Sequence, residues 1–322
     1  MEKMNAAVVT SFGQPPHYQP FDVPRPATVD EILVDVLAVG LHPRTRTGAA
    51  GAHYTSTGTL PMIPGIDAVG LRPDGKRIYF LAAGDVIGTM ADKAVADVRR
   101  SIELPDDVDV ARVAAAMNPA MSAWVALRRR VPLEPGQSVL VLGATGNAGT
   151  MAVQVARRLG AGRVIGAGRD RGRLTALASA GADEVVQLTD DADETASRLA
   201  AAAAEADIVL DYLWGKPARQ AMMALLTERS DRSRALNWIQ IGAVAGPTME
   251  LPSVALRSAN LRIQGNGQGA VSPGAYLAEL PSLVDEIDAG TIAVKANRRP
   301  LAEVETIWAQ PDVPGERTVL VP

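Results

Sequence analysis

The 322-residue chain is 47% hydrophobic and 21% charged, with a mean hydropathy of +0.06 and a formal net charge of −4. That length can bury two cores, and acids and bases are interspersed without a basic stripe, which argues against nucleic-acid or anionic-membrane partners and for a small-molecule ligand. The absence of cysteine excludes disulfides, thiolate catalysis and sulfur-bound zinc, and it fits a reducing compartment.

The opening "MEKMNAAVVT" lacks a charged leader followed by an apolar stretch, and no run approaches the roughly 18 apolar residues of a spanning helix. A cytoplasmic protein is therefore expected. Over residues 1–118, short runs ("AAVVT", "EILVDVLAVG", "DAVGL", "KRIYF", "DVIGT") are separated by Pro, Gly and Asp, which predicts a compact, irregular β-rich domain. Helical periodicity emerges only near Val110–Ala116, after "LPDDVD", whose aspartates suit a helix start.

From about Val139 the pattern becomes regular, within a nucleotide-binding domain expected over residues 119–267. Six aliphatic runs read as strands: "SVLVLG" (138–143), "RVIGAG" (163–168), "EVVQL" (184–188), "DIVLDYL" (207–213), "NWIQIG" (237–242) and "LRIQG" (261–265). Helical segments are expected between them over Thr150–Leu159, Arg171–Ala180, Ala192–Ala204 and Pro217–Thr227, with a shorter link after Gly242. Continuous hydrophobicity means that both strand faces are covered, so the fold class is α/β: a doubly wound, six-stranded parallel Rossmann sheet beside the β-rich domain. Residues 268–322 lose this rhythm and hold an apolar stretch, a short helix and a closing strand.

In "GATGNAGTMAVQVARRLG", Gly143, Gly146 and Gly149 follow the first of these strands and open a helix. Tight turn, close approach to pyrophosphate and helix–strand packing each call for one of them, and the helix start offers N–H groups to phosphates. The loop Gly143, Thr145, Gly146, Asn147, Ala148 and Gly149 is thus the candidate dinucleotide cradle; the competing reading is a glycine-rich turn that binds nothing. At the tip of the second strand, an NAD site places an acid for the ribose hydroxyls, whereas here Gly168 is followed by Arg169, with Arg171 and Arg173 behind. NADP over NAD is the expectation. Two alternatives stand beside it: arginines that merely solvate a helix start, and Asp170 reaching the ribose so that NAD also binds. Gly242 and Ala243, after the fifth strand, and Asn266 and Gln268, after the sixth, lie at the carboxyl edge of the sheet where ligands bind.

Several segments together, "LPMIPGIDAVG" (60–70), "AAAMNPAMSAWVAL" (114–127), the glycine loop with its helix, "GADEVV" (181–186) and "GERTVLVP" (315–322), resemble the medium-chain dehydrogenase/reductase superfamily, in particular its zinc-independent quinone-oxidoreductase branch. The resemblance covers nearly the whole chain. It implies a GroES-like catalytic domain built from both ends of the chain, a nucleotide domain between them, a cleft where nicotinamide meets substrate, and a homodimer. Zinc alcohol dehydrogenases of the superfamily draw ligands from the segment matching Leu41–His42 and from a "GHE" motif. That motif is Gly65-Ile66-Asp67 here, and isoleucine binds no metal. The three histidines, His17, His42 and His53, share no ligand spacing, so no metal is expected. Asp67 is expected to be structural, accepting local backbone N–H bonds in its turn.

Without a Lewis acid, an electron-poor quinone or α,β-unsaturated carbonyl is an easier hydride acceptor than a simple ketone. The resemblance places the cleft wall in "LHPRTRTGAAGAHYTSTG" (41–58), which departs from the family's "N-x-x-D-x-x-x-R-x-G-x-Y" pattern: His42 stands where Asn is common and the acid is missing. Tyr54 is the candidate proton donor, and Arg46 or His42 the candidate charge for an enolate. The alternatives are a His42 that satisfies a turn, solvated Arg44 and Arg46, and a Tyr54 that only shapes the pocket. Asn118 either bonds the cofactor carboxamide or substrate oxygen, or caps a helix beginning at Pro119. Trp124 reads as core. The function expected is NADPH-dependent, metal-free reduction of a quinone or enone. A reductase of one specialised ketone or alcohol, and a non-enzymatic NADPH-binding sensor or structural protein, are the rivals.

Overall fold

Strand β1 (Lys3–Val8) pairs antiparallel with β2 (His17–Asp22) as a ribbon, and isolated bridges tie β1 and the residue after it to Ala91 and Met62. The structure is a computed structural model describing residues 2–267, 269–313 and 315–322. It divides into two units, residues 1–118 with 277–322, and residues 119–276.

In the first unit, β3 (Glu31–Gly40), β4 (Asp67–Leu71), β5 (Arg77–Ala82) and β6 (Lys93–Glu103) run antiparallel in succession, and β6 returns to pair with β3. Closing four strands on themselves removes open edges. Val34, Val36, Ile78, Phe80, Met90 and Leu320 fill the interior. Helix α1 (Pro43–Ala49) leaves the end of β3, with Pro43 at its first position, where a missing N–H costs nothing. Helix α2 (Val110–Val125) starts where Asp109 Oδ1 accepts the N–H groups of Ala111 (2.9 Å) and Arg112 (3.2 Å), as the aspartates of "LPDDVD" predict.

Three local expectations are corrected. Pro119 lies inside α2, so Asn118 is interior to that helix and caps nothing. "DVIGT" forms no strand and contributes only the Ile63–Ile87 bridge. Strands β2 and β6 escaped the sequence pattern because Pro20 interrupts one and the outer half of the other is charged and largely solvated.

The second unit alternates β7 (Ser138–Leu142), α3 (Asn147–Arg158), β8 (Arg163–Gly168), α4 (Arg171–Ala176), β9 (Glu184–Gln187), α5 (Ala192–Ala203), β10 (Ile208–Asp211), α6 (Gly215–Glu228), β11 (Leu236–Gln240), α7 (Ser253–Arg257) and β12 (Leu261–Gly265). All six strands are parallel, in the order β12-β11-β10-β7-β8-β9. The chain winds outward from β7 to β9 and then returns to the other flank of β7 as β10. A switch point therefore lies between β7 and β10, and the crevice outside the carboxyl ends of such strands is where open α/β sheets bind ligands. Leu140, Leu142, Ile165, Val209, Leu236 and Trp238 are buried in its core.

The return begins with α8 (Pro273–Leu277) and α9 (Leu280–Asp288), followed by β13 (Lys295–Pro300), α10 (Val304–Trp308) and β14 (Glu316–Val321). The second unit runs to Tyr276, nine residues past the 267 expected from sequence, and Arg130 donates to the carbonyls of Gly265 (3.1 Å) and Ala270 (2.9 Å) within it. Strand β14 pairs parallel with β13 and antiparallel with the end of β3, bringing the C-terminal residues beneath α1. No described helix is long and apolar enough to cross a membrane.

Candidate functional site

Two of the three glycines of the loop, Gly143 and Gly149, sit where a side chain would crowd its neighbours. Gly143 has φ +85°, and a Cβ there would stand 3.1 Å from Leu213 Cδ2. Gly146 is the extended residue before α3. A Cβ on Gly149 would fall 2.2 Å from the Gly143 carbonyl oxygen. Gly143 thus serves the turn and Gly149 the close packing of helix start on turn, while Gly146 opens the helix. Thr150 clamps the turn, its N–H donating to Gly146 O (2.8 Å) and its hydroxyl to Ala144 O (3.0 Å). Asn147, Ala148 and Gly149 form the first turn of a 12-residue helix, the end at which N–H dipoles favour an anion.

Beside this loop, Gly168 ends β8, and a Cβ on it would lie 2.6 Å from both Cγ2 and Oγ1 of Thr145. Asp170, the residue left ambiguous by the sequence, is turned into α4: it is the N-cap, and its Oδ1 accepts the Arg173 N–H at 3.0 Å. Arg169 and Arg171 are exposed and Arg173 is half-buried. The tip of β8 therefore carries cations, and its one carboxylate is occupied by a helix start.

Across the switch point, the turn after β10 is held by a residue that sequence reading missed. Asp211 is fully buried; its Oδ1 accepts the N–H groups of Leu213 (2.8 Å) and Trp214 (2.9 Å), and its Oδ2 accepts Trp238 Nε1–H (2.9 Å). These bonds hold Trp214 at φ +54°, a region costly for a bulky residue. Burial pushes the Asp211 carboxyl upward from its ordinary value, and the bonds from Trp214, Trp238 and Leu213 pull the other way. Burial likewise raises the Tyr212 phenol, which shares a 2.9 Å hydrogen bond with Ser122 Oγ. The turn carrying Gly242 and Ala243 is laced to this one: Gly242 N–H donates to Asp211 O (3.1 Å) and Ala245 N–H to Leu213 O (2.8 Å). Asn266 is buried, with Nδ2–H donating to Ser122 O at 2.7 Å, so its amide is engaged within the unit. Gln268 lies outside the described residues.

The catalytic candidates of the first unit separate into two groups. His42 is 2% exposed; its Nε2 stands 3.4 Å from Asp67 Oδ1, and neither ring nitrogen has a hydrogen-bond partner among the described residues. Asp67 is anchored at long range, Oδ2 accepting the Tyr79 hydroxyl at 2.7 Å, which replaces the local turn bonds expected for it. Arg46 faces the C-terminal segment: it donates to the carbonyls of Trp308 and Gln310, stacks 5.5 Å from the Trp308 ring centroid and lies 3.6 Å from Asp312. Tyr54 is 72% exposed, its ring against His53. Asn118 is half-buried in α2, and Trp124, in the same helix, is buried as expected.

A pocket between α1 and the loops around residues 53–66 and 85 is lined by Arg44, Thr45, His53, Thr55 and Ile66, with a cavity of about 40 Å³. Among the described residues no three His, Asp or Glu side chains stand together as metal donors; His17 is exposed beside Glu305, away from the other two histidines. The Asp211 anchor, the approach of Thr145 to Gly168 and the placement of Arg44 in a pocket all join residues distant in sequence, and only Asp211, a carboxylate inside the aliphatic run 207–213, gave any local signal.

A family model described as zinc-binding dehydrogenase matches residues 148–232. A probable NADPH-dependent quinone reductase of Emericella nidulans is 30% identical over 361 residues, covering 99% of this chain and 100% of that protein. Human (Homo sapiens) quinone oxidoreductase is 32% identical over 193 residues, 56% of this chain and 58% of that one. The quinone oxidoreductase from Thermus thermophilus, solved also in complex with NADPH, superposes with a TM-score of 0.78 at 26% identity, covering 99% of this chain and 100% of that one. A mycobacterial quinone oxidoreductase shares the fold with a TM-score of 0.83 at 23% identity, over 99% of this chain and 100% of that one. With its glycine cradle, its closed antiparallel strands and a relative matched end to end, the chain belongs to the medium-chain dehydrogenase/reductase superfamily, in the quinone oxidoreductase-like branch.

Proposed function

We propose that the chain is an NADPH-dependent oxidoreductase that reduces quinones and α,β-unsaturated carbonyls without a metal ion. The observation carrying this reading is the pairing of the glycine cradle with a β8 tip that offers Arg169 and Arg173 while Asp170 is engaged at α4. The first turn of α3 takes the pyrophosphate, Arg169 and Arg173 the ribose phosphate, and the turn at Gly242 and Ala243 the nicotinamide side. When bound, NADPH supplies the hydride. A relative covering the whole chain bears the name of an NADPH-dependent quinone reductase.

The donors present support metal-free chemistry. Ile66, which stands where the superfamily's zinc-binding histidine does, has no donor atom, and among the described residues no three His, Asp or Glu side chains stand together to supply the three protein ligands of a catalytic site. The residues do not fit the ion that the matching family model is named for. Charge developing on the substrate oxygen is instead met by hydrogen-bond donors, with Tyr54 as proton source, His42 and Arg46 as supporting charge and Asn118 as an amide donor. Pairing of two copies along the outer edge of β12 completes the proposal.

The test is NADPH oxidation by purified protein with a panel of quinones, enones, simple ketones and alcohols, with and without chelator. Turnover of quinones or enones that chelator leaves unchanged is expected, and no turnover on the panel, or loss with chelator, overturns the reading. Arg169→Ala should weaken NADPH binding about ten- to a hundredfold, the worth of one charge-assisted contact, and leave NADH binding unchanged.

A further inference from the structure

We propose, resting on the reductase reading, that the pocket beside α1 is an oxyanion subsite in which Arg44 and Thr45 grip an ionised oxygen of the substrate, a carboxylate or a ring hydroxylate. The Arg44 guanidinium is half-buried in the pocket wall and has neither an ion pair nor a hydrogen bond among the described residues. Its neighbour Arg46 makes three such contacts elsewhere, so the difference between these two cations of α1 is one of placement. Thr45 is 2% exposed, lines the same pocket, and its hydroxyl has no hydrogen-bond partner among the described residues. A buried unpaired hydroxyl is costly, and a ligand oxygen accepting from it removes that cost.

His53 completes the wall as a neutral donor. Its Nδ1 accepts the Thr55 N–H (3.3 Å) and also contacts the Thr55 hydroxyl (2.9 Å), leaving Nε2 to carry the proton of the neutral ring. Burial, and after it the Arg44 charge, pulls the His53 imidazolium below its ordinary value; exposed Asp85 opposes this more weakly. Asp85 also lines the pocket, and of the two charges Arg44 acts the more strongly on the His53 ring. At about 10–15 Å³ per water-sized group, a cavity of about 40 Å³ admits a substituent of about three heavy atoms, whereas a ring of benzene size needs roughly 150 Å³. The subsite thus selects an oxygen substituent and leaves the ring outside.

The experiment compares kcat/KM with NADPH for naphthoquinone, hydroxynaphthoquinone and a carboxylated naphthoquinone, in the native protein and in Arg44→Gln, Arg44→Lys and Thr45→Val. Arg44→Gln should cut kcat/KM for the ionised quinones about ten- to a hundredfold, mainly through KM, and change the neutral one by less than about twofold. Arg44→Lys should restore part of the loss, and Thr45→Val should lower the same preference. Response of only one ionised substrate identifies its source, ring hydroxylate or carboxylate. Equal losses on neutral and ionised quinones, or no preference in the native protein, overturn the subsite and leave the reductase reading intact. Calorimetric binding of hydroxynaphthoquinone that Arg44→Gln abolishes, without turnover of any quinone, does the reverse.

Discussion

A methyl group at residue 149 has nowhere to go. Its closest neighbour would be a backbone oxygen at 2.2 Å, so Gly149→Ala should push the cradle apart, lower stability by about 1–3 kcal/mol and weaken NADPH binding at least about tenfold. Urea unfolding and fluorescence titration measure the two effects, and unchanged values would refute the packing argument. His53 offers a second residue-level test. Burial and the Arg44 charge lower its folded pKa, so the folded state takes up its proton less readily than the unfolded chain. The stability linked to it is complete above the unfolded histidine value and is lost as pH falls through that value toward the lowered one. Proton NMR should show the His53 titration moving upward in Arg44→Gln, and an unmoved midpoint would place Arg44 too far away to act.

The turn that follows β10 depends on one carboxylate. Asp211 accepts three N–H groups, two of them from the backbone that holds Trp214 at positive φ. Asp211→Asn turns an amide N–H₂ toward at least one of these donors and should cost at least about 2 kcal/mol, with a change in tryptophan fluorescence as Trp238 loses its acceptor. Because Leu213 contacts Gly143, the same change should loosen the phosphate cradle and raise the NADPH Kd without touching the cradle itself. Retained stability and affinity would show the turn to be self-supporting. The strands and helices around it were legible: both faces of β7 and its neighbours are buried, so their aliphatic runs are unbroken, and glycine spacing marks the one loop whose geometry is local. Strand β2, half-exposed and broken by Pro20, gave no such pattern, and α1 was hidden by its polar, arginine-rich sequence. The site divides on the same line. The cradle could be read from neighbours in sequence, whereas the Asp67–Tyr79 bond and the Arg44 pocket depend on contacts made across the fold.

Each unit has a main hydrophobic core of its own among the described residues, so a ligand can couple to the two unequally. A dinucleotide held by residues 119–276 stabilises what it touches, by about 2.7 kcal/mol at a hundredfold excess over Kd. Hydrogen exchange with NADPH should therefore slow first at the glycine cradle and at the turns after β10 and β11. Protection concentrated in residues 1–118 instead would move the cofactor to the other unit.

The contact between Thr145 and Gly168 carries one further consequence. Installing an acid at the β8 tip, the ordinary route to a preference for NAD, would drive a Cβ to 2.6 Å from the threonine side chain. The threonine side chain would have to turn away or shrink before the acid could enter. Gly168→Asp should therefore gain less NAD affinity alone than together with Thr145→Ala, and equal gains in a titration would show that the threonine yields freely.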